Sequence, residues 1–177
     1  MTPLYQGDCC DGLCGLYSVV NAIRLAMARK RPLSDKEVAA LLRAGLRFIE
    51  TRRGLTASLT GGMQQTLWCR LADALVAYVF RLTDVPLFVE QPFRDGPLMT
   101  RDQAFLIIEG MIVRQKATML LRRGAHYTII SGFTATSFSL FDSAGGSWVM
   151  KTSCGVNGDS PRTRHQFCPA SITAIFT

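Results

Sequence analysis

Residues 126–142, HYTIISGFTATSFSLFD, combine two strand patterns with one short turn and so predict a β-hairpin. β-Branched and aromatic residues predict strands over 126–133 and 137–141, and the three residues 134–136 between them predict a tight connection. Antiparallel strands joined in this way bring the chain back alongside itself. We therefore expect Asp142, which ends the second strand, to lie beside His126, which starts the first.

Similar composition recurs on both sides of this hairpin. Short runs rich in β-branched and apolar residues cover 118–121, 148–151 and 171–176, and Gly, Ser, Asp and Pro separate them. The last third of the chain is therefore predicted to form an antiparallel sheet.

The first two thirds of the chain carry the period of helices instead. Apolar residues recur at three- and four-residue spacing, and capping boxes stand at 34–37 and 100–103. The four helices predicted from these signals cover about 14–29, 34–53, 63–82 and 100–115. Because helices come first and strands follow, the pattern indicates an α+β fold rather than an alternating parallel-sheet protein.

Length and composition favour one domain over the whole of 1–177, with a helical part at about 1–115 and a β part at about 116–177. The chain has 177 residues and is 48% apolar, enough to bury a core without a metal. Its apolar runs are much shorter than the ~20 residues that cross a bilayer. The N-terminus lacks the pattern of a secretory signal, so we expect a cytoplasmic protein, or one delivered by a specialised secretion system that needs no cleaved signal.

The positive charge is concentrated in one segment. The net charge is +7, and residues 24–53 hold nine Lys or Arg against three acidic residues. Such a segment could bind an acidic protein partner, although a solvated helix face is the preferred interpretation. Nucleic acid is not expected as a partner, because Phe48 is the one aromatic residue among these charges and no nucleic-acid motif occurs.

The six cysteines do not form the pattern of a disulfide scaffold or of a metal site. Their spacing is irregular, and no pair has the C-x-x-C spacing of a zinc knuckle. No metal or cofactor is therefore expected, and at least one thiol is predicted to be chemically active.

Cys14 is the predicted nucleophile. It lies in the first turn of the first helix, where the positive end of the helix dipole favours a thiolate over a thiol. Asp11 is a plausible N-cap for that helix. Gly15 is expected to leave room for a substrate backbone.

The remaining candidates complete a catalytic set around Cys14. His126 is the predicted base and proton donor, and Asp142 is predicted to fix the tautomer of its ring. Gln6 is a candidate oxyanion donor, together with the backbone N–H of Cys14.

Each of these residues also has a purely structural interpretation. Cysteines on apolar helices are usually buried small side chains, and a histidine in a strand or an aspartate at a turn is common. The three residues in this order favour catalysis. Cys9 and Cys10 precede the helix and could have a resolving or redox role, whereas His165 is expected to be a surface residue in a polar loop.

The order of these motifs resembles the papain-like cysteine hydrolase superfamily. An N-terminal Gln precedes a Cys-Gly that opens a helix, and a late His-aromatic-x-Ile-Ile-x-Gly strand is followed by an Asp. The pattern is most similar to compact bacterial members, namely the bacteriocin-processing peptidase domains and the effector enzymes that deamidate glutamine.

This resemblance implies a helical lobe carrying Cys14, a β lobe carrying His126 and Asp142, and a cleft between them. The implied function is a cysteine peptidase with a protein or peptide substrate. The alternatives are a protein-glutamine deamidase of the secreted-effector kind and a non-catalytic binding module on the same fold.

Overall fold

The computed structural model describes residues 1–5, 12–94, 100–123, 126–156 and 163–177, which form a mixed α+β fold. Five α-helices are present in these ranges: α1 Cys14–Met27, α2 Asp35–Arg53, α3 Leu55–Gly61, α4 Gln65–Thr83 and α5 Arg101–Arg114. The strands of the same ranges are β1 Phe88–Glu90, β2 Thr118–Arg123, β3 His126–Phe133, β4 Ser137–Leu140, β5 Trp148–Met150, β6 Cys154–Val156, β7 His165–Phe167 and β8 Thr173–Phe176. No helix in these ranges has the length and apolar content that a membrane crossing needs.

Both capping boxes that the sequence predicts are present. The Ser34 hydroxyl accepts from the Glu37 N–H at 3.4 Å, and the Glu37 carboxylate accepts from the Ser34 N–H at 2.8 Å, so α2 begins where predicted. Thr100 and Gln103 make the same reciprocal pair at the start of α5. Each box satisfies N–H groups that a helix N-terminus leaves without intrahelical acceptors.

The main sheet is antiparallel, with the strand order β1-β8-β2-β3-β4-β5. At its centre β2 pairs with β3 through partners such as Leu120 and Ile129. β7 pairs with the end of β2, and β6 pairs with β7 in parallel. The prediction of an antiparallel sheet is confirmed for the main sheet, and this one parallel pair departs from it.

Helices cover both faces of the sheet. Leu120 and Ile129 belong to a core that also contains the buried sides of α1, α2 and α4. Their neighbours Met119 and Ile130 point to the other face, because side chains alternate along a strand, and they pack with α5. Thus α5 is separated by the sheet from the other long helices.

Four short elements were not predicted: α3, β1, β6 and β7. The three strands have three residues each and α3 has seven, so none of them contains enough periods to give a clear sequence pattern. β1 comes from within the part predicted to be helical and pairs with β8 at the edge of the sheet. The expectation that His165 lies in a loop is wrong, because His165 starts β7.

Candidate functional site

Cys14 is the first residue of α1 and is nearly buried, with 8% of its surface exposed. The residue at the N-cap is Leu13, so the prediction of Asp11 as N-cap is wrong. Asp11 itself lies outside the described residues. In the described part of the chain no side chain caps α1. The first N–H groups of a helix have no intrahelical acceptor. In α1 the first of these groups is the N–H of Cys14, the predicted nucleophile.

Gly12 fixes how the chain enters α1. Its φ angle of +62° lies in the left-handed region, and a Cβ at this position would come within 2.3 Å of the Ser58 carbonyl oxygen and 2.6 Å of that of Leu59. Only glycine combines this backbone conformation with so close an approach. Gly12 therefore lies directly against the backbone of α3, an element that the sequence did not predict.

The hairpin of β3 and β4 brings Asp142 to His126, as the sequence predicts. The Phe141 N–H donates to the Ile129 carbonyl at 3.0 Å and continues the ladder past the end of β4. One residue later, the Asp142 Oδ1 lies 2.7 Å from the His126 Nε2.

Asp142 is held by two further donors. Thr128 Oγ1 donates to Asp142 Oδ2 at 2.7 Å, and the Ala144 N–H donates to Asp142 Oδ1 at 2.8 Å. Burial raises the pKa of the Asp142 carboxyl, but the hydrogen bonds from His126, Ala144 and Thr128 outweigh burial and leave this pKa below its ordinary value. Asp142 is therefore a fully buried carboxylate with a fixed orientation.

His126 contacts both other members of the predicted set. Its pKa is raised to about 9 by the hydrogen bond to Asp142 first and by a hydrogen bond to Cys14 second, while burial opposes the rise. Because Nε2 faces Asp142, Nδ1 is the ring nitrogen left for Cys14. The structure thus brings together Cys14, His126 and Asp142, three residues from widely separated parts of the chain.

Two residues beside this set were missed by the sequence analysis. Thr128 follows His126 by two positions and so shares its face of β3, which is the signal that could have identified it. Arg123 is the cross-strand partner of His126 in β2, and its Nη2 lies 3.9 Å from Asp142 Oδ2. Predicting the position of Arg123 would have required the register of β2 and β3.

An aromatic pair lies between the turn that carries Cys14 and the strand that carries His126. Trp68 of α4 stacks on Tyr127, with ring centroids 4.6 Å apart, and its Nε1 donates to the Gly15 carbonyl at 3.1 Å. A Cβ on Gly15 would lie 3.0 Å from the Trp68 ring. The expectation that Gly15 leaves room for a substrate is therefore wrong, because the space beside it is filled by the indole.

The N-terminal segment is anchored to α1 by Asn21. The Leu4 N–H donates to Asn21 Oδ1 at 2.8 Å, and Asn21 Nδ2 donates to the Leu4 carbonyl at 3.0 Å. The residues predicted as oxyanion donor and competing thiols, Gln6, Cys9 and Cys10, lie outside the described residues. Their roles stay predictions.

The competing residues in the described part of the chain have different surroundings. Burial lowers the pKa of His165, and the charges of Arg123 and Arg164 lower it further, so His165 lies among cations rather than beside a carboxylate. Burial raises the pKa of Cys69, and it raises the pKa of Cys154 to about 11, as expected for thiols that pack in the core.

Within the described ranges, no three His, Cys, Asp or Glu side chains form a group that could hold a metal ion.

Comparison with known proteins gives no relative: no family model, curated protein or solved structure matches this chain. The geometry of Cys14, His126 and Asp142 is therefore the basis for a functional proposal.

Proposed function

We propose that this protein is a cysteine hydrolase that cleaves amide bonds in a protein or peptide substrate. Cys14 is the nucleophile, His126 is the general acid and base, and Asp142 orients the His126 ring. The observation that carries the proposal is the 2.7 Å contact between His126 Nε2 and Asp142 Oδ1, in a histidine that also hydrogen-bonds Cys14. Nucleophile, base and orienting carboxylate form the arrangement that activates a weak nucleophile.

The first step is attack on the substrate carbonyl. With the proton on His126, the Cys14 thiolate forms a bond to the carbonyl carbon, and the π electron pair moves to the oxygen. The proposed first donor to this oxyanion is the backbone N–H of Cys14, at the N-terminus of α1. Gln6 is the proposed second donor.

In the second step the tetrahedral intermediate collapses. The carbon–nitrogen bond breaks, and His126 gives its proton to the leaving amine, which leaves a thioester on Cys14. A water molecule then attacks the thioester while neutral His126 takes one of its protons. The carbon–sulfur bond breaks, the acid is released, and the thiolate and protonated His126 are restored.

Asp142 serves both steps without accepting a proton in this proposal. Its buried carboxylate stabilises protonated His126, and the donors Thr128 and Ala144 keep the carboxylate from rotating away. The resemblance to the papain-like superfamily, which rests on these three residues together with Gln6 and the motifs around them, favours a peptidase.

A product assay tests the proposal. Wild-type protein and the Cys14→Ala variant are incubated with a complex peptide mixture, and the products are analysed by mass spectrometry. We expect new N-termini that require Cys14. Glutamine converted to glutamate without chain cleavage would replace the peptidase by a deamidase with the same nucleophile. Equal products from wild type and Cys14→Ala, or none from either over a broad set of peptides and intact proteins, would contradict the proposed hydrolase.

A further inference from the structure

We infer that Trp68 is a positioning residue, which holds the turn carrying Cys14 and the strand carrying His126 at the separation that the reaction needs. This inference rests on the proposed function. Trp68 is fully buried in α4 and is distant in sequence from both residues. It makes directed contacts to the chain neighbour of each of them.

On the nucleophile side the contact is a shared hydrogen bond. The Trp68 Nε1 donates to the Gly15 carbonyl at 3.1 Å and lies 3.3 Å from Ser18 Oγ. The Ser18 hydroxyl donates to the same carbonyl at 2.8 Å. Gly15 directly follows Cys14, so these bonds fix the turn of α1 on which the nucleophile stands.

On the base side the contact is a ring stack. The indole of Trp68 lies over the phenol ring of Tyr127 at a centroid distance of 4.6 Å and an interplanar angle of 27°. The Tyr127 hydroxyl donates to the Met63 carbonyl at 3.1 Å, which fixes the far end of the ring. Tyr127 directly follows His126 in β3, so the stack sets the position of the strand that carries the base.

Close packing between Trp68 and the first turn of α1 restricts their relative movement. A Cβ on Gly15 would meet the Trp68 ring at 3.0 Å and the Met63 Sδ at 3.2 Å, so the first turn of α1 sits directly against both side chains. Any buried indole needs an acceptor for its N–H, and here that acceptor is the carbonyl of the residue that follows Cys14. Small displacements between reacting groups reduce rates strongly, on the order of a hundredfold for 1 Å. The choice of acceptor, a carbonyl next to the nucleophile, is therefore what favours a positioning role, and removing the Nε1 hydrogen bond tests that role.

The test removes this N–H and keeps the ring. In a Trp148→Phe background, Trp68 is replaced by benzothienylalanine, which has a sulfur atom in place of the indole N–H. Trp148 is 63% exposed, so the background change is remote from the buried core. A Trp68→Phe variant, which also shrinks the ring, is made in the same background. The measured quantities are kcat and KM on one peptide that the wild type cleaves in the peptide mixture of the product assay, the pH profile of Cys14 alkylation, and the thermal unfolding midpoint.

We expect the benzothienylalanine variant to lose about tenfold or more in kcat with KM unchanged. We also expect its Cys14 alkylation to be slower near neutral pH, with a pH profile displaced toward that of His126→Ala. Trp68→Phe should lose at least as much. An unchanged kcat and alkylation profile in the folded benzothienylalanine variant would overturn the positioning role, even if its unfolding midpoint falls.

The two proposals fail in different ways. If the Trp148→Phe parent shows no Cys14-dependent turnover and no enhanced Cys14 alkylation, the proposed hydrolase fails and the role of Trp68 fails with it. If the parent is active and the Trp68 variants match it, only the positioning role is overturned.

Discussion

At the scale of single residues, the ionisation of His126 is the property on which the site depends. Asp142 and Cys14 both hydrogen-bond the ring and stabilise its charged form more than burial destabilises it. The ring should therefore carry a proton at neutral pH and lose it only near pH 9.

A histidine titration followed by NMR checks this expectation. We expect the His126 ring resonance to titrate with a pKa of about 9 in the wild type. In Asp142→Asn the pKa should fall, because the neutral amide stabilises the imidazolium less than a carboxylate does. His165, whose pKa is lowered by burial and by neighbouring arginines, is an internal control and should titrate below its ordinary value. A wild-type His126 that titrates near its ordinary value of 6.5 would show that the interaction with Asp142 is weak in solution.

A substitution series separates the roles of the site residues. We expect Cys14→Ala to abolish turnover and His126→Ala to cost nearly as much, because no neighbouring group replaces the sulfur or the proton donor. Asp142→Asn should be milder, since it keeps a hydrogen-bonding group facing the ring. Gln6→Ala should cost on the order of a hundredfold in kcat if Gln6 is an oxyanion donor.

The same series includes controls for the nucleophile. Cys9→Ser and Cys10→Ser should retain turnover, and circular dichroism should show that each variant is folded. Loss of turnover in Cys9→Ser or Cys10→Ser, with turnover preserved in Cys14→Ala, would move the nucleophile to another thiol.

The sequence predicted the three central residues because each has a local signal: a helix start, a strand start and a strand end. Thr128 carries a weaker signal, its two-residue spacing from His126. Trp68 and Arg123 carry none, since their places depend on how α4 packs and on the register of β2. Contacts of that kind are fixed by the tertiary fold and leave no periodic pattern.

At the scale of elements, α3 determines how the chain reaches the nucleophile. Gly12 combines a left-handed backbone with direct contact to the α3 carbonyls of Ser58 and Leu59. An alanine there must shift the loop that leads into Cys14.

A matched pair of glycine substitutions tests this role. Gly12→Ala should destabilise the fold by about 1–3 kcal/mol through backbone strain, with an added cost from the clash, and should slow both turnover and Cys14 alkylation. Gly54→Ala is the control, because Gly54 also has a positive φ of 84° but nothing lies within 4 Å of its Cβ position. It should lose stability while Cys14 keeps its reactivity. If Cys14 is alkylated at the same rate in folded Gly12→Ala and folded Gly54→Ala, the contact of Gly12 with α3 has no role in placing the nucleophile.

Element boundaries were predictable where a capping box marks the start of a helix, or where an element is long enough to repeat its hydrophobic period several times. The capping boxes at Ser34 and Thr100 place the starts of α2 and α5 correctly, and the predicted β3 bounds match those observed. The three-residue strand β7 was not predictable, because its pairing with β2 and β6 stabilises it more than its own sequence does.

At the scale of the whole molecule, the order of helices and strands was predictable except for β1, which precedes α5. The distribution of helices over the sheet was not predictable. Met119, Leu120 and Leu121 are all buried, which identifies β2 as covered on both faces. The apolar sequence of β2 does not indicate which helix covers each face, namely that α5 covers one face and α1 the other. That choice depends on how the connections fold back, and on β1 joining β8 at the sheet edge.

The basic segment 24–53 gives a prediction at the same scale. Arg43, Arg47 and Arg52 are exposed on α2. For a solvated helix face, changing all three to Glu should leave turnover of both an intact protein substrate and a short peptide unchanged. A loss confined to the protein substrate would contradict this expectation and identify the segment as a docking surface for an acidic partner. Circular dichroism and the unfolding midpoint control for misfolding, which would lower both activities.

Native alkylation with iodoacetamide, followed by peptide mapping, shows whether His126 and Asp142 activate Cys14. The measurement is made at about pH 6, well below the pKa of about 8.5 of an unperturbed thiol. Cys14 is buried, whereas Cys69 and Cys168 are partly exposed, so access alone would favour the latter two. We predict that Cys14 is labelled faster than either, and that His126→Ala removes this preference. Labelling of Cys14 no faster than that of Cys168 in the folded wild-type protein would contradict the account.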